Sequence, residues 1–365
     1  MKSKGKRLLI LGATAGEISL VKRAQEFGIY VIVTDNHKDY SLAPAKYIAD
    51  EAWDISWSDI DLLEKKCVDN HIDGVLAGYS EFRVENMIKL CERLNLPCYI
   101  NSEQLDITRD KIKFKECCRR YGVPVVREYK SIEEVDKFPV IVKPTDRAGS
   151  IGISIANNLK ELEKAYQYAY EMSVEKRVII EEYIYKADKV DFYYLAENGQ
   201  LTLLTSCDTI NAKNNGFSKV VQSAWLYPEK NLKSYNLKVK ENIEKMIHGM
   251  NIKYGCVFFS GFVDENNEFV FFECGYRLEG AHQYYYSQKR GPLNFLDTFI
   301  FHSLYGNTSM VKRTSINENM KCVTINVFAK SGIIAQIAGV QQIESMEDCT
   351  KSLLYGRIGQ QCDDS

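Results

Sequence analysis

Between Lys6 and about Ser102 the chain alternates two periods, and no other feature restricts its fold so strongly. Four short β-rich runs, RLLILG, YVIVTD, GVLAGY and PCYIN, are separated by segments of helical spacing. Val21, Ala24 and Phe27 share one side of the first such segment, and Val84, Met87, Ile88, Cys91 and Leu94 share one side of a later one. Strands and helices alternating at this interval predict a parallel sheet with right-handed crossovers, a Rossmann-like α/β domain. GATAGE after the first strand is a tight turn in which Gly12 lets a helix N-terminus approach an anion. It is only half of a dinucleotide fingerprint, even with Asp35 ending the second strand.

The rest of the chain has a different texture, mixed α+β. The helix RDKIKFKECCRRYG stops at Gly122 and Pro124, and FPVIVKPTDRAGSIGISIAN then sets two β-rich arms around a glycine loop. Leu162, Ala165, Tyr166 and Ala169 mark a helix before the strand RVIIEEYI, and further strands are expected at Asp191 to Ala196 and Leu201 to Cys207. Val239, Ile243, Met246, Ile247 and Met250 mark another helix, followed by strands at Val257 to Val263 and Glu268 to Glu273 with DENN as their turn. After about Met320 the chain is β-rich again.

Composition narrows the partners. A chain of 365 residues with 45% hydrophobic and 26% charged residues is an ordinary globular protein of more than one domain. A net charge of -2 without a basic block argues against nucleic acid or an anionic membrane as partner. No run approaches the roughly 18 apolar residues of a membrane span. Eleven cysteines without C-x-x-C or zinc spacing read as reduced, mostly buried thiols, so the expected location is the cytoplasm.

Chemistry is concentrated in an ordered set of residues. Lys111 opens a helix and Lys143 ends a strand, one on each side of the glycine loop. Two such ammonium groups would neutralise a triphosphate while the backbone N–H groups of Gly149, Ser150 and Gly152 cradle it. In IIEEYI the Glu181 side chain and the peptide groups can meet an adenine edge, and Asp188 can accept from ribose hydroxyls. Glu273 follows the apolar run FVFF and precedes Arg277, a carboxylate for magnesium and a guanidinium for phosphate charge.

This order of elements resembles the ATP-grasp superfamily of ATP-dependent carboxylate–amine ligases, of the biotin carboxylase, carbamoyl-phosphate synthase and purine-pathway type, from about Arg7 to Gly339. The resemblance implies a Rossmann-like domain over 1–107, a small lobe with glycine loop and hinge over 108–185, a large lobe with the metal site over 186–320, and a β-rich segment over 321–365. It makes Lys111 and Lys143 the phosphate lysines, and Lys143 and Arg277 the catalytic cations. Glu181, Glu182, Tyr183 and Ile184 become the adenine hinge, Asp188 or Asp191 the ribose acid, and Glu273 the metal ligand. It implies ATP with magnesium or manganese, and small carboxylate and amine substrates, and it leaves a homodimer open as the assembly. A carboxylate would be activated as an acylphosphate and joined to an amine. The alternative is a degenerate relative that binds nucleotide without turnover.

Two positions depart from the family's E-x-N-x-R pattern and its metal partner strand. Gly275 stands where an asparagine is expected, and Gly261, or Ser260 with a shift of one residue, stands where the preceding strand carries a second carboxylate. Glu273 and Arg277 taken alone would read as a structural ion pair. Glu81, at the C-terminal end of a strand, is a substrate contact or a helix-start acid, and Gly12 and Arg277 are further substrate candidates. Tyr284, Tyr285 and Tyr286 beside His282 line a cleft or simply pack.

Overall fold

The computed structural model describes residues 3–147, 151–184, 187–211, 222–280, 284–329, 331–349, 352–354 and 356–362. Its N-terminal region runs β1 (Arg7–Leu11), α1 (Ile18–Glu26), β2 (Tyr30–Thr34), β3 (Glu51–Trp53), α2 (Ile60–Asp69), β4 (Gly74–Ala77) and α3 (Glu81–Leu94). The strands form a sheet in the order β3-β2-β1-β4, and each pairing is parallel. Leu8 to Leu11 have no exposure at all, the mark of a parallel strand covered on both faces.

One strand was expected elsewhere. PCYIN is a loop, and the fourth strand of this sheet is Glu51–Trp53. Pro97 cannot donate to a ladder, and Asn101 turns the chain into a helix by accepting from the Gln104 amide at 2.9 Å. The apolar residues of the loop still enter the core. Tyr99 packs edge-on against Tyr276 and Phe299, with ring centroids 5.3 and 4.8 Å away.

Next come α4 (Ser102–Arg109), α5 (Lys111–Arg120), β5 (Glu128–Tyr129), β6 (Val140–Pro144), β7 (Ser154–Ala156), α6 (Leu159–Met172) and β8 (Val178–Glu182). Their strands make an antiparallel sheet in the order β5-β8-β6-β7, with a satellite core of Val140, Val142, Leu162, Ala165, Ala169 and Ile180 under α6. A second sheet, ordered β13-β12-β9-β10-β11-β14, contains β9 (Asp188–Glu197), β10 (Gln200–Asn211), β11 (Gln222–Tyr227), β12 (Tyr254–Val263), β13 (Phe269–Tyr276) and β14 (Cys322–Ile325). Helices α7 (Leu232–Lys238) and α8 (Lys240–Gly249) precede β12, and α9 (Tyr284–Arg290) and α10 (Phe295–Tyr305) follow β13.

After Met320, β14 pairs with β11 as an edge strand of the larger sheet. Beyond it, β15 (Gly332–Ile333) and β16 (Gln361–Cys362) pair separately.

Helix α10 joins the two halves. Every residue from Phe295 to Leu304 is buried, as expected of a helix that is apolar almost all round. It lies on β4 so closely that a Cβ at Gly74 would come within 2.5 Å of the Ser303 carbonyl oxygen. Arg23 grips its Asp297 in a two-pronged ion pair at 2.6 and 2.7 Å. No helix among the described residues is long and apolar enough to cross a membrane.

Candidate active site

The site is assembled where the two antiparallel sheets meet. After α5 the chain touches the larger sheet directly: Phe271 donates to the Pro124 carbonyl at 2.9 Å, and Val126 donates to that of Phe271 at 3.3 Å. Two residues further along β13 is Glu273. Its position depends on a β-bulge, since Ser260 pairs with Glu273 and Gly261 with Phe271, leaving Phe272 as the extra residue. Gly261 is required there because a Cβ would lie 2.6 Å from the Val270 carbonyl oxygen. The residue opposite Glu273 is thus Ser260, with a hydroxyl in place of a second carboxylate.

Among the described residues Glu273 has no ion pair, although it is only partly exposed. Arg277, its expected partner if the two were a structural pair, instead meets Glu81 through Nε at 2.7 Å and Nη2 at 2.6 Å. Burial pushes the Arg277 guanidinium down, but the Glu81 carboxylate outweighs it and holds the group above its ordinary value. Glu273 and Glu81 line one cavity with Lys111, Arg109, Asp146 and Arg147. Lys111 heads α5, where Asp110 caps the helix by accepting from the Ile112 and Lys113 amides, and its Nζ donates to the Arg147 carbonyl at 2.7 Å. Gly149 and Ser150 lie outside the described residues. Gly152 has φ +75°, and a Cβ there would be 2.8 Å from Met172.

Lys143, next to last in β6, has its ammonium over the Phe272 ring, 5.2 Å from the centroid, and 2.5 Å from Glu181 Oε2. Glu181 also pairs with Lys115, a residue that the sequence reading missed. Its carboxylate is therefore turned to two ammonium groups, not to a nucleobase edge. Burial pushes its pKa up, yet Lys143 and Lys115 outweigh burial and leave it below the ordinary value. Lys115 was legible in principle, since Lys111, Phe114, Lys115 and Cys118 follow i, i+3, i+4, i+7 spacing and all four are buried. In the hinge, the Glu182 amide donates to the Arg127 carbonyl and that of Tyr183 to the Pro139 carbonyl. The Glu182 side chain pairs with Lys137 at 3.0 Å.

The two ribose candidates differ sharply. Asp191 is buried and accepts from Lys189, from Thr209 at 2.7 Å and from Ser260 at 2.5 Å, so its lone pairs are engaged within the sheet. Asp188 is exposed and pairs with Lys230 at 2.6 Å. Nearby, burial pushes the Glu229 carboxyl up to about 7 from an ordinary 4.5. The unfolded chain ionises this group near the ordinary value and the folded chain only near 7, so stability falls as pH rises between those values and then levels. Glu229→Gln should remove this fall, gaining about 2–3 kcal/mol over the wild type at pH 8 and little at pH 4, as read by urea denaturation.

Other candidates lie among packed side chains. Gly12, at φ +104°, has the Arg83 guanidinium laid over it, where a Cβ would come within 2.4 Å, and Arg83 in turn pairs with buried Glu17 at 2.8 Å. Tyr284 and Tyr286 are buried, the latter stacked on Tyr227 at 4.8 Å, and His282 lies outside the described residues. Burial pushes the His302 imidazole down to about 4, a neutral core histidine beside Tyr254.

Comparison with known proteins agrees with this architecture. Residues 116–273 match the family model for the D-ala D-ala ligase C-terminus. The 2-oxoglutarate carboxylase small subunit of Hydrogenobacter thermophilus is 27% identical over 302 residues, 75% of this chain and 62% of that protein, so the chain spans about three fifths of the relative's length. Among solved structures, an L-amino acid ligase from Bacillus licheniformis superposes with a TM-score of 0.78 at 18% identity, covering 98% of this chain and 89% of its own. The biotin carboxylase domain of the Hydrogenobacter thermophilus enzyme, solved with MgADP, ADP and bicarbonate, gives 0.73 at 20% identity, covering 87% and 73%. Over residues 116–273 the chain is thus similar to the D-ala D-ala ligase C-terminal domain, and its fold is that of these ligase and carboxylase structures.

Proposed function

We propose that the protein is an ATP-dependent ligase that activates a small carboxylate as an acylphosphate and couples it to an amine. The observation that carries this reading is the Glu273 carboxylate, without an ion pair among the described residues, in the same cavity as Lys111 and Arg147. A partly buried carboxylate is costly without a counter-charge, and a cation brought by a nucleotide would supply one. On this reading Lys111 and Lys143 take the phosphates with the loop containing Gly149, Ser150 and Gly152. Residues 181–184 take the adenine, and Asp188 takes the ribose in preference to the saturated Asp191. Arg277, held by Glu81, faces the transferring group. Residues 1–107 would serve the acceptor substrate, 108–185 and 186–320 would close on the nucleotide, and 321–365 would extend the larger lobe through β14.

The carboxylate oxygen attacks the γ-phosphorus as the bond to the β–γ bridging oxygen breaks, giving ADP and the acylphosphate. The amine then attacks the acyl carbon and expels phosphate. Positioning and charge neutralisation by Lys111, Lys143 and Arg277 are the protein's share of the work. Magnesium bound to Glu273 and to phosphate oxygens would add charge neutralisation. The residues fit one ion, because Mg²⁺ keeps waters and uses phosphate oxygens. Among the described residues no group of three His, Cys, Asp or Glu side chains could hold a metal.

An asparagine at position 275 would not complete a second metal site. A Cβ on Gly275 would lie 2.4 Å from Cζ of Phe258, whose ring occupies the space an asparagine would need. Gly275→Asn should therefore cost about 1–3 kcal/mol in chemical denaturation and add no bound Mn²⁺. A stable variant binding an additional ion would contradict this.

The reading is tested by incubating the protein with ATP, Mg²⁺ and pools of amino acids and small carboxylates while measuring phosphate release. Release dependent on both a carboxylate and an amine is expected. Tight nucleotide binding with no release across broad pools would overturn it in favour of a non-catalytic relative.

A further inference from the structure

Lys115 has an environment unlike that of any other lysine near the cleft. Its side chain has no exposure, its Nζ donates to the Val126 carbonyl at 2.9 Å, and it pairs with Glu181 Oε1 while lying 3.5 Å from Glu128 Oε2. Glu128 is already held by Arg119, so the carboxylate that depends on Lys115 is Glu181. Glu181 is 1% exposed, and its second oxygen is taken by Lys143. One buried carboxylate thus sits between two ammonium groups with different surroundings. Lys115 is anchored from within the fold by a carbonyl, whereas Lys143 is next to last in β6, with the Phe272 ring beneath its charge.

A charge buried in a dry setting cannot lose its only counter-ion without a heavy penalty. If Lys143 alone balanced Glu181, drawing that ammonium towards a phosphate would expose the fold to this penalty at every binding event. We propose that Lys115 is a positioning residue, the permanent counter-ion of Glu181 that frees the charge of Lys143 for the nucleotide phosphates. This inference rests on the reading that Lys143 meets ATP. Lys115 itself does not touch the nucleotide; it acts through Glu181.

The test is calorimetric binding of ADP and adenosine to the full chain, in buffers of different ionisation enthalpy, with wild type, Lys115→Met and Lys115→Met/Glu181→Gln. For Lys115→Met, ADP affinity should fall at least tenfold and adenosine affinity less than threefold. Its ADP binding should take up a proton, because Glu181, deprived of Lys115, must be neutralised when Lys143 leaves. Wild-type binding should show no such uptake, and Glu181→Gln in the same chain should recover most of the affinity. Wild-type-like ADP binding by Lys115→Met, or a loss without proton uptake that the second substitution does not relieve, would overturn the inference. Should Lys115→Met not fold, the double variant is compared with Glu181→Gln alone: affinities within threefold are expected, and a larger gap would overturn it. Failure of the wild type to bind either ADP or ATP would instead overturn the nucleotide reading itself.

Discussion

Replacing Glu273 by glutamine is expected to reduce Mg-ATP-dependent phosphate release about a thousandfold, the scale seen when a charge-stabilising group is removed from a reaction centre. The size of the effect follows from the missing neighbours. The residue opposite Glu273 is Ser260, and the space beyond Gly275 is filled by Phe258, so no second carboxylate on these strands shares the load. Glutamine preserves shape, and Glu273 has no ion pair to lose among the described residues, so unfolding should shift by less than about 1 kcal/mol. Removing a negative charge from a cavity already lined by Lys111, Arg109 and Arg147 should also leave metal-free ADP bound as tightly as before, or more tightly. A variant whose turnover stays near wild type, or that loses metal-free ADP binding along with turnover, would show that Glu273 is not the metal ligand.

The sequence carried the architecture further than it carried the site. Periodicity placed β1, β2 and β4, because a parallel strand covered on both faces must be apolar throughout, and it placed the helices α1 and α3. It failed at PCYIN, where an apolar loop packs against the core as a strand would, and at Glu51–Trp53, which is too short to show a period. At the site, order along the chain picked out Lys111, Lys143 and Glu273, but which groups meet is a matter of register. The bulge at Phe272 makes Ser260, not Gly261, the neighbour of Glu273, and no local composition announces a single extra residue in a strand. Likewise Arg277 is close to Glu273 in sequence yet paired with Glu81, 196 positions away. Such contacts depend on how the N-terminal sheet docks on the larger one, a property of tertiary packing that hydrophobic period does not encode.

Lys143→Met should produce the second large loss, about a thousandfold in turnover with a marked rise in KM for ATP, since an ammonium aimed at the phosphates acts in both ground and transition states. Its effect on folding should be smaller than a buried ion pair would suggest. Breaking a buried pair by removing one partner typically costs about 3–5 kcal/mol, because a charge is stranded. Here Glu181 keeps Lys115 when Lys143 is gone, so about 1–2 kcal/mol is expected. Glu181→Ala should be the more destructive change, near the full 3–5 kcal/mol, because it strands two ammonium groups whose side chains are at most 9% exposed. Comparing the two in urea denaturation separates the roles: equal destabilisation would mean that Lys115 does not compensate Glu181. Loss of turnover with near-native stability in Lys143→Met would place its charge in service of the nucleotide and not of the fold.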